Sequence, residues 1–397
     1  MKNAKPKILV AVMCAAALTL QSGCSSGSIY SNYREVEQLM IIQTMGFDIS
    51  PEGYELSVSA SNSSSGGSDS QGGGGGSVGK SSIVRMGAKA KTLTLAQDIM
   101  QDYSASEQLF FQHTSYIAIG GKAAKHSLDH YFEYIERDNS FRLDIPLFIV
   151  TNSSASKLVL GTGSSEYDAT EVLRSLERNL MLRGDTYVFS AAEAVANTDT
   201  NGSALICAVR LADAGNSSAE AEEGELTALP DGYAIIKDNK MIGQVPYSEA
   251  KGVNILLNKT GPSNIEVSSD DGTAALQLTE CKCKFTPVFS DDGKLSRLQI
   301  DISVKAAIAE GEKNPDPKKL CEALEKQITQ LTDAVMKKSV ELDCDFLQLG
   351  STLERQEPKR LKGYDRKLEN ALPYIIYNIN VSAELDRSFH IGNMEGS

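Results

Sequence analysis

The chain has 397 residues, of which 41% are hydrophobic and 23% charged; these ordinary globular values exclude full-length disorder and fibrous classes. The formal net charge is −13, the wrong sign for a nucleic-acid partner, because phosphate contacts come from lysine and arginine. Only four histidines are present, which disfavours a large histidine-based metal centre. Beyond residue 25 no run of 18 apolar residues occurs, so the body of the chain is not predicted to span a membrane. The length predicts two or three domains.

Residues 1–23 are predicted to be an export signal. Three lysines precede a short apolar segment at residues 8–20, the layout of a signal peptide rather than of a transmembrane helix. Small residues then lead to Cys24 as in a bacterial lipobox, although Gln21 stands where an aliphatic residue is usual. Two acyl chains give stable anchoring, so we expect a lipidated Cys24 and a tether over residues 24–32 on the outer face of a membrane. The alternative is an ordinary secretory signal followed by an accidental cysteine.

Residues 33–196 predict an N-terminal mixed α/β domain, because strand-like and helical segments alternate. Residues 61–82 contain 17 serines and glycines and predict a disordered loop between two strands. Leu95, Ile99 and Tyr103, with Ala96 and Met100 beside them, are predicted to form the apolar face of a helix. Strands are predicted at residues 37–48, 54–60, 110–119 and 143–150, and helices around residues 95–103, 124–135 and 172–180.

Residues 197–228 are polar and acidic and predict a domain junction with one short strand at 204–211. Residues 229–392 predict a C-terminal α+β domain, with a further division near residue 310 left open, and residues 393–397 a tail. Its clearest signal is Asp316 before Pro317, which is typical of a capped helix start. Strands are predicted at residues 233–237, 241–245, 265–267, 276–288, 295–309 and 374–385, and helices at 247–257, 317–342 and 357–369.

The predicted fold class is therefore α+β or mixed α/β, with two to three domains that each pack a mixed or antiparallel sheet with helices. Five cysteines remain in the predicted mature chain besides the lipidated one. They are interpreted as structural thiols, free or disulfide-linked, because pairing cannot be deduced from sequence and no histidine accompanies the C-x-C pair. These cysteines are Cys207, Cys281, Cys283, Cys321 and Cys344.

An enzyme is the first alternative, with His113 as a base oriented by Asp138 or Glu136. No nucleophile-elbow, zincin or Cys-His signature accompanies them, so His113, beside two phenylalanines, is interpreted as a core or hydrogen-bonded structural histidine. Arg137, Asp138 and Arg142 are interpreted as a charge cluster. The sequence therefore predicts no catalytic, cofactor-binding or metal-binding residues.

Short segments in a fixed order resemble a known family. They are REVEQL at 34–39 with GFD at 46–48, FFQH at 110–113 with IG at 119–120, RD at 137–138 with Arg142, GYAIIKDNKMIG at 232–243, Gly252 with NILL at 254–257, and DCDF at 343–346 with Gly350 and residues 381–392. In this order they resemble the Ger(x)C spore germination lipoproteins, the C subunits of nutrient germinant receptors. The chain departs from the family in lacking a tryptophan after the last long helix, where KGY stands at 362–364.

The resemblance implies a non-catalytic scaffold or accessory lipoprotein without a cofactor. It implies a place on the outer face of the spore inner membrane, held in the bilayer by the acylated Cys24. Its partners would be a multi-spanning A subunit and a transporter-like B subunit, in a complex that couples nutrient sensing to ion and dipicolinate release. A solute-binding lipoprotein is the second alternative, and it predicts a cleft between two similar lobes.

Overall fold

The computed structural model describes most of the chain after residue 37. No helix within this part is both long and apolar enough to cross a bilayer. The described residues are 38–62, 83–104, 107–137, 141–161, 167–213, 226–269, 272–291, 293–311, 316–362 and 375–386.

The first sheet has nine strands and parallel strands at its centre. Within it, β1, β5, β6 and β7 run parallel, and antiparallel strands follow on both sides in the order β3-β2-β1-β5-β6-β7-β8-β9, with β4 beside β1. The strands are β1 (Leu39–Ser50), β2 (Gly53–Asn62), β3 (Ile83–Ala90), β4 (Gln108–Phe110), β5 (Tyr116–Gly120), β6 (Leu147–Val150), β7 (Ser203–Asp213), β8 (Leu226–Lys237) and β9 (Lys240–Val245).

Helices cover both faces of this sheet, as central parallel strands require. Leu147 and Ile149 of β6 face one core, whereas Phe148 and Val150 face the other. The first core is closed by α1, α2, α3 and α6, and the second by α4 and α5. The helices are α1 (Leu93–Tyr103), α2 (Gly121–His126), α3 (Asp129–Arg137), α4 (Ala155–Leu160), α5 (Ala169–Arg183) and α6 (Ala191–Asn201).

The second sheet has four strands in the order β10-β11-β12-β13, and β13 is parallel to β12. One face of this sheet packs on the long helix that begins at Pro317. The predicted start of this helix is confirmed, because Pro317 is its first residue and the Asp316 carboxylate accepts the Lys318 N–H at 3.0 Å. The elements are β10 (Ser263–Ser269), β11 (Gly272–Phe289), β12 (Leu295–Glu310), β13 (Ile376–Leu385), α7 (Ala250–Leu256), α8 (Pro317–Glu341) and α9 (Leu349–Gln356). The two sheets, each packed with helices, confirm the predicted mixed fold class.

The sheets do not divide at the predicted junction. Residues 197–213 end α6 and form β7, which lies between parallel β6 and antiparallel β8 inside the first sheet. The strands predicted to open the C-terminal domain, at 233–237 and 241–245, are therefore the last strands of the first sheet. The domain ranges themselves stay predictions, and residues 214–225 lie outside the described part.

Three local predictions are wrong. In α1 the buried residues are Leu93, Ala96 and Met100, whereas Leu95 is 49% and Tyr103 80% exposed. The strand predicted at 110–119 is two strands joined by a turn, because β4 and β5 each pair with a different part of β1. The helix predicted at 357–369 is a turn as far as residue 362, beyond which the description stops until residue 375.

Candidate functional site

The aspartate of the GFD segment is buried and caps a helix. Asp48 is 5% exposed at the end of β1, and its carboxylate accepts the N–H groups of Ala155 at 3.0 Å and Ser156 at 2.7 Å in the first turn of α4. A Cβ at Gly120 would collide with this carboxylate, so only glycine fits at that position. Burial raises the pKa of Asp48 to about 6, against the opposing effect of the two N–H donors.

The segment at 232–243 is fixed by a buried tyrosine. Tyr233 is fully buried, accepts the N–H of Tyr187 at 2.6 Å and donates its hydroxyl to Asn254 of α7. The Asn254 amide in turn donates to the Gly184 carbonyl at 3.1 Å. This network ties the end of α5 to β8 and α7, and burial places the pKa of Tyr233 well above its ordinary value.

The DCDF segment begins a joint between the two sheets, which we define as residues 343–350. Asp345 is fully buried, and its carboxylate accepts the N–H groups of Leu349 at 2.8 Å and Gly350 at 2.7 Å at the start of α9. A buried carboxylate with two such donors holds the chain in one conformation. The Asp345 carboxylate therefore fixes the start of α9 within the joint.

The joint binds the ends of β7 and β8 through several hydrogen bonds. Ser203 of β7 donates its hydroxyl to the Asp345 carbonyl at 2.9 Å, and Gln348 donates its amide to the Ser203 carbonyl at 2.6 Å. Lys237 at the end of β8 donates to the Asp343 carbonyl and lies 3.7 Å from its carboxylate. The residues of the family pattern thus connect the second sheet to the first.

The residues of the enzyme alternative are not assembled into a catalytic group in the described chain. His113 is exposed in the turn between β4 and β5, with its ring 5.5 Å from that of Phe110, so it is not a core histidine. Arg137 pairs with Glu133 on α3 at 2.9 Å, and Arg142 pairs with Asp144 instead. Asp138 lies outside the described residues. Within the described part no group of three His, Cys, Asp or Glu side chains could hold a metal ion.

A cleft of about 930 Å³ lies between α1 and α3 on one face of the first sheet. Tyr54 contacts the His130 ring edge-on at 5.4 Å, and Tyr134 donates its hydroxyl to Gln97 at 2.5 Å. Arg137 also lines the cleft. The cleft belongs to a single sheet, and the two sheets differ in strand number and order, unlike the two similar lobes that the solute-binding alternative predicts.

Cys207, Cys281, Cys283 and Cys321 are free thiols, whereas the buried Cys344 donates its S–H to the Ile236 carbonyl at 3.9 Å. Cys281 and Cys283 contact the same core, as their i, i+2 spacing in a strand predicts. Burial raises the pKa of the Cys283 thiol to about 12, so it is protonated at neutral pH. Cys24, the predicted lipidation site, lies outside the described residues, and its acylation stays a prediction.

Comparison with known proteins identifies the class of this fold. A family model for the spore germination protein N-terminal domain matches residues 32–211, and a model described as spore germination B3/GerAC like, C-terminal, matches residues 231–389. The chain therefore belongs to the Ger(x)C spore germination family. The crystal structure of the GerBC protein superposes with a TM-score of 0.53 at 16% identity over 88% of this chain and 99% of that one, which shows a common fold. No curated protein matched the chain.

The joint is the part of this site that sequence reasoning missed. The DCDF segment is identified by resemblance alone, and no spacing rule links it to Ser203 more than 140 residues earlier. The one local signal is Asp345 itself, because an aspartate shortly before a helix can accept the free N–H groups of its first turn, as Asp345 does for Leu349 and Gly350.

Proposed function

We propose that the protein is a non-catalytic, lipid-anchored C subunit of a spore nutrient germinant receptor. The observation that carries the proposal is the match of both family models, which together reach from residue 32 to residue 389. The protein would sit on the outer face of the spore inner membrane, tethered through Cys24. Its partners would be the membrane-embedded A and B subunits of the receptor.

The structure supports a scaffold role through its distribution of polar groups. The residues that resemble the family pattern, among them Asp48, Tyr233 and Asp345, are buried and used in helix capping or in joining elements. Buried residues with such bonds hold the elements of the fold in place. A subunit of this kind would hold two membrane proteins in a fixed relation through its two joined sheets.

Deletion of the gene tests this function. We expect spores of the deletion strain to lose nutrient-triggered germination, followed as the fall in optical density after nutrient addition, while vegetative growth stays normal. A wild-type copy restores germination and controls for effects on neighbouring genes. Germination of the deletion strain at the wild-type rate would contradict the proposal.

A further inference from the structure

The last strand of the second sheet has an open side. β13 pairs with β12 in parallel register from Ile376 opposite Arg297 to Leu385 opposite Ala306. On its other side no strand of the described chain is paired with it. An open edge of ten residues is a template for a further strand.

The side chains of β13 alternate between two environments. The even-numbered residues from Ile376 to Glu384 are exposed on the solvent face of the sheet. The odd-numbered apolar residues face α8 and are only half-buried, whereas the corresponding residues of β12, such as Ile300 and Val304, are 2% exposed or less. A strand added beyond β13 would bury this half-exposed apolar row, which consists of Tyr377, Ile379, Val381, Ala383 and Leu385.

Backbone donors of β13 point to the open side. The Ala383 N–H donates to the Glu325 carboxylate of α8 at 2.9 Å and not to β12. Because N–H groups alternate between the two sides of a strand, those of Tyr377, Ile379 and Val381 also point away from β12. Glu325 covers one end of this edge, and no strand among the described residues pairs with the middle of it.

We propose that β13 pairs antiparallel with β13 of a second copy of this chain, about a two-fold axis at Asn380. This register is self-complementary, as an isologous interface requires. It places Ile379 opposite Val381 of the partner subunit, and these two residues supply the new backbone hydrogen bonds. The large Tyr377 lies opposite the small Ala383 of the partner subunit, whose N–H keeps its bond to Glu325, so the pairing is confined to the middle of the strand. Asn378 meets Ser382 of the partner subunit, and the exposed Ile376 meets Glu384 of the partner subunit, so no like charges are opposed.

Cysteine cross-linking tests both the contact and its register. In the proposed pairing the two Asn380 residues face each other as a non-hydrogen-bonded pair, with Cα atoms about 4.5 Å apart, a separation that a disulfide spans. The full-length protein with Asn380→Cys is oxidised mildly in detergent-solubilised membranes and run on a non-reducing gel. We expect at least roughly tenfold more covalent dimer than for the parent chain under the same oxidant.

Asn378→Cys is the matched control, because it lies on the same exposed face of the same strand. In the proposed register the cysteine at 378 faces position 382 of the partner strand, so the partner's own cysteine at 378 lies four residues further along. That separation is about 13 Å, which a disulfide cannot bridge. We therefore expect this variant to give no more dimer than the parent chain. Equal dimer yields from the two cysteines, or none from Asn380→Cys, would overturn the proposal.

Val381→Pro provides a second variant. Its N–H points to the open side, so proline removes a donor needed by the second copy and leaves the pairing with β12 intact. In the double variant that carries both Asn380→Cys and Val381→Pro, we expect no cross-link and the same melting temperature as for Asn380→Cys alone. Persistence of the cross-link in this double variant would overturn the proposal. A monomeric Asn380→Cys chain, with the β13 edge covered by residues 387–397 or by another protein, would overturn it as well.

Discussion

Asp345→Ala is expected to lower the free energy of unfolding by about 4 kcal/mol, because it leaves two buried N–H groups without their acceptor. The Leu349 and Gly350 N–H groups bond to a carboxylate that is fully buried, and Leu349 is itself 1% exposed, so water cannot replace the carboxylate. The same change loosens the contact of residues 343–350 with Ser203. Urea unfolding followed by circular dichroism measures the loss of stability.

Ser351→Ala, one residue beyond the joint, is the matched control. Its hydroxyl bonds to Asn201 at 2.8 Å in a half-buried position, so its loss should cost only about 1 kcal/mol. Asp345→Asn should fall between the two, because its amide oxygen keeps an acceptor for one of the two N–H groups. An Asp345→Ala protein within about 1 kcal/mol of the wild type would show that the joint does not depend on this carboxylate.

Asp48 is expected to make the protein less stable as the pH rises from 4 to 7. Its pKa is about 6 in the folded state against 3.8 ordinarily, so the folded state holds the proton more tightly than the unfolded state does. The resulting stabilisation is fully present below pH 3.8 and is lost as the pH passes 6. At 1.36 kcal/mol for each pKa unit, the difference amounts to about 3 kcal/mol.

Asp48→Asn isolates this contribution. The amide does not titrate, so the fall in unfolding free energy between pH 4 and 7 should shrink by about 3 kcal/mol relative to the wild type. Asp144→Asn is the control, since this exposed carboxylate pairs with Arg142 and its pKa is lowered, which places its titration below that range. Parallel pH profiles for the wild type and Asp48→Asn would contradict the assignment.

Elements with one consistent pattern were predictable from the sequence. Asp316-Pro317 marks the start of α8, and the alternation at 276–309 gives β11 and β12. In α1 the pattern is ambiguous, because Leu93, Ala96 and Met100 form one apolar row and Leu95, Ile99 and Tyr103 another. Periodicity cannot choose between two apolar rows, and the packing against β2 and β3 buries the first.

The joint and the sheet boundary were not predictable, because both depend on contacts between residues distant in sequence. The polar composition of residues 197–202 suggested a loop, yet the capping box of Ser190 and Glu193 starts a helix that ends at Asn201. Whether β8 pairs with β7 or opens a new sheet depends on register, which composition does not specify. Resemblance alone pointed to Asp345, and only the structure places it beside Ser203.

Attachment of fatty acid at Cys24 is the feature on which the proposed place in the spore depends. The most direct measurement is the incorporation of radiolabelled palmitate into the wild-type chain and into a Cys24→Ala chain expressed from the same locus. We expect label on the wild-type polypeptide in the membrane fraction and none on the variant. A wild-type polypeptide without label, or one found free in the medium with an intact Cys24 thiol, would contradict the account.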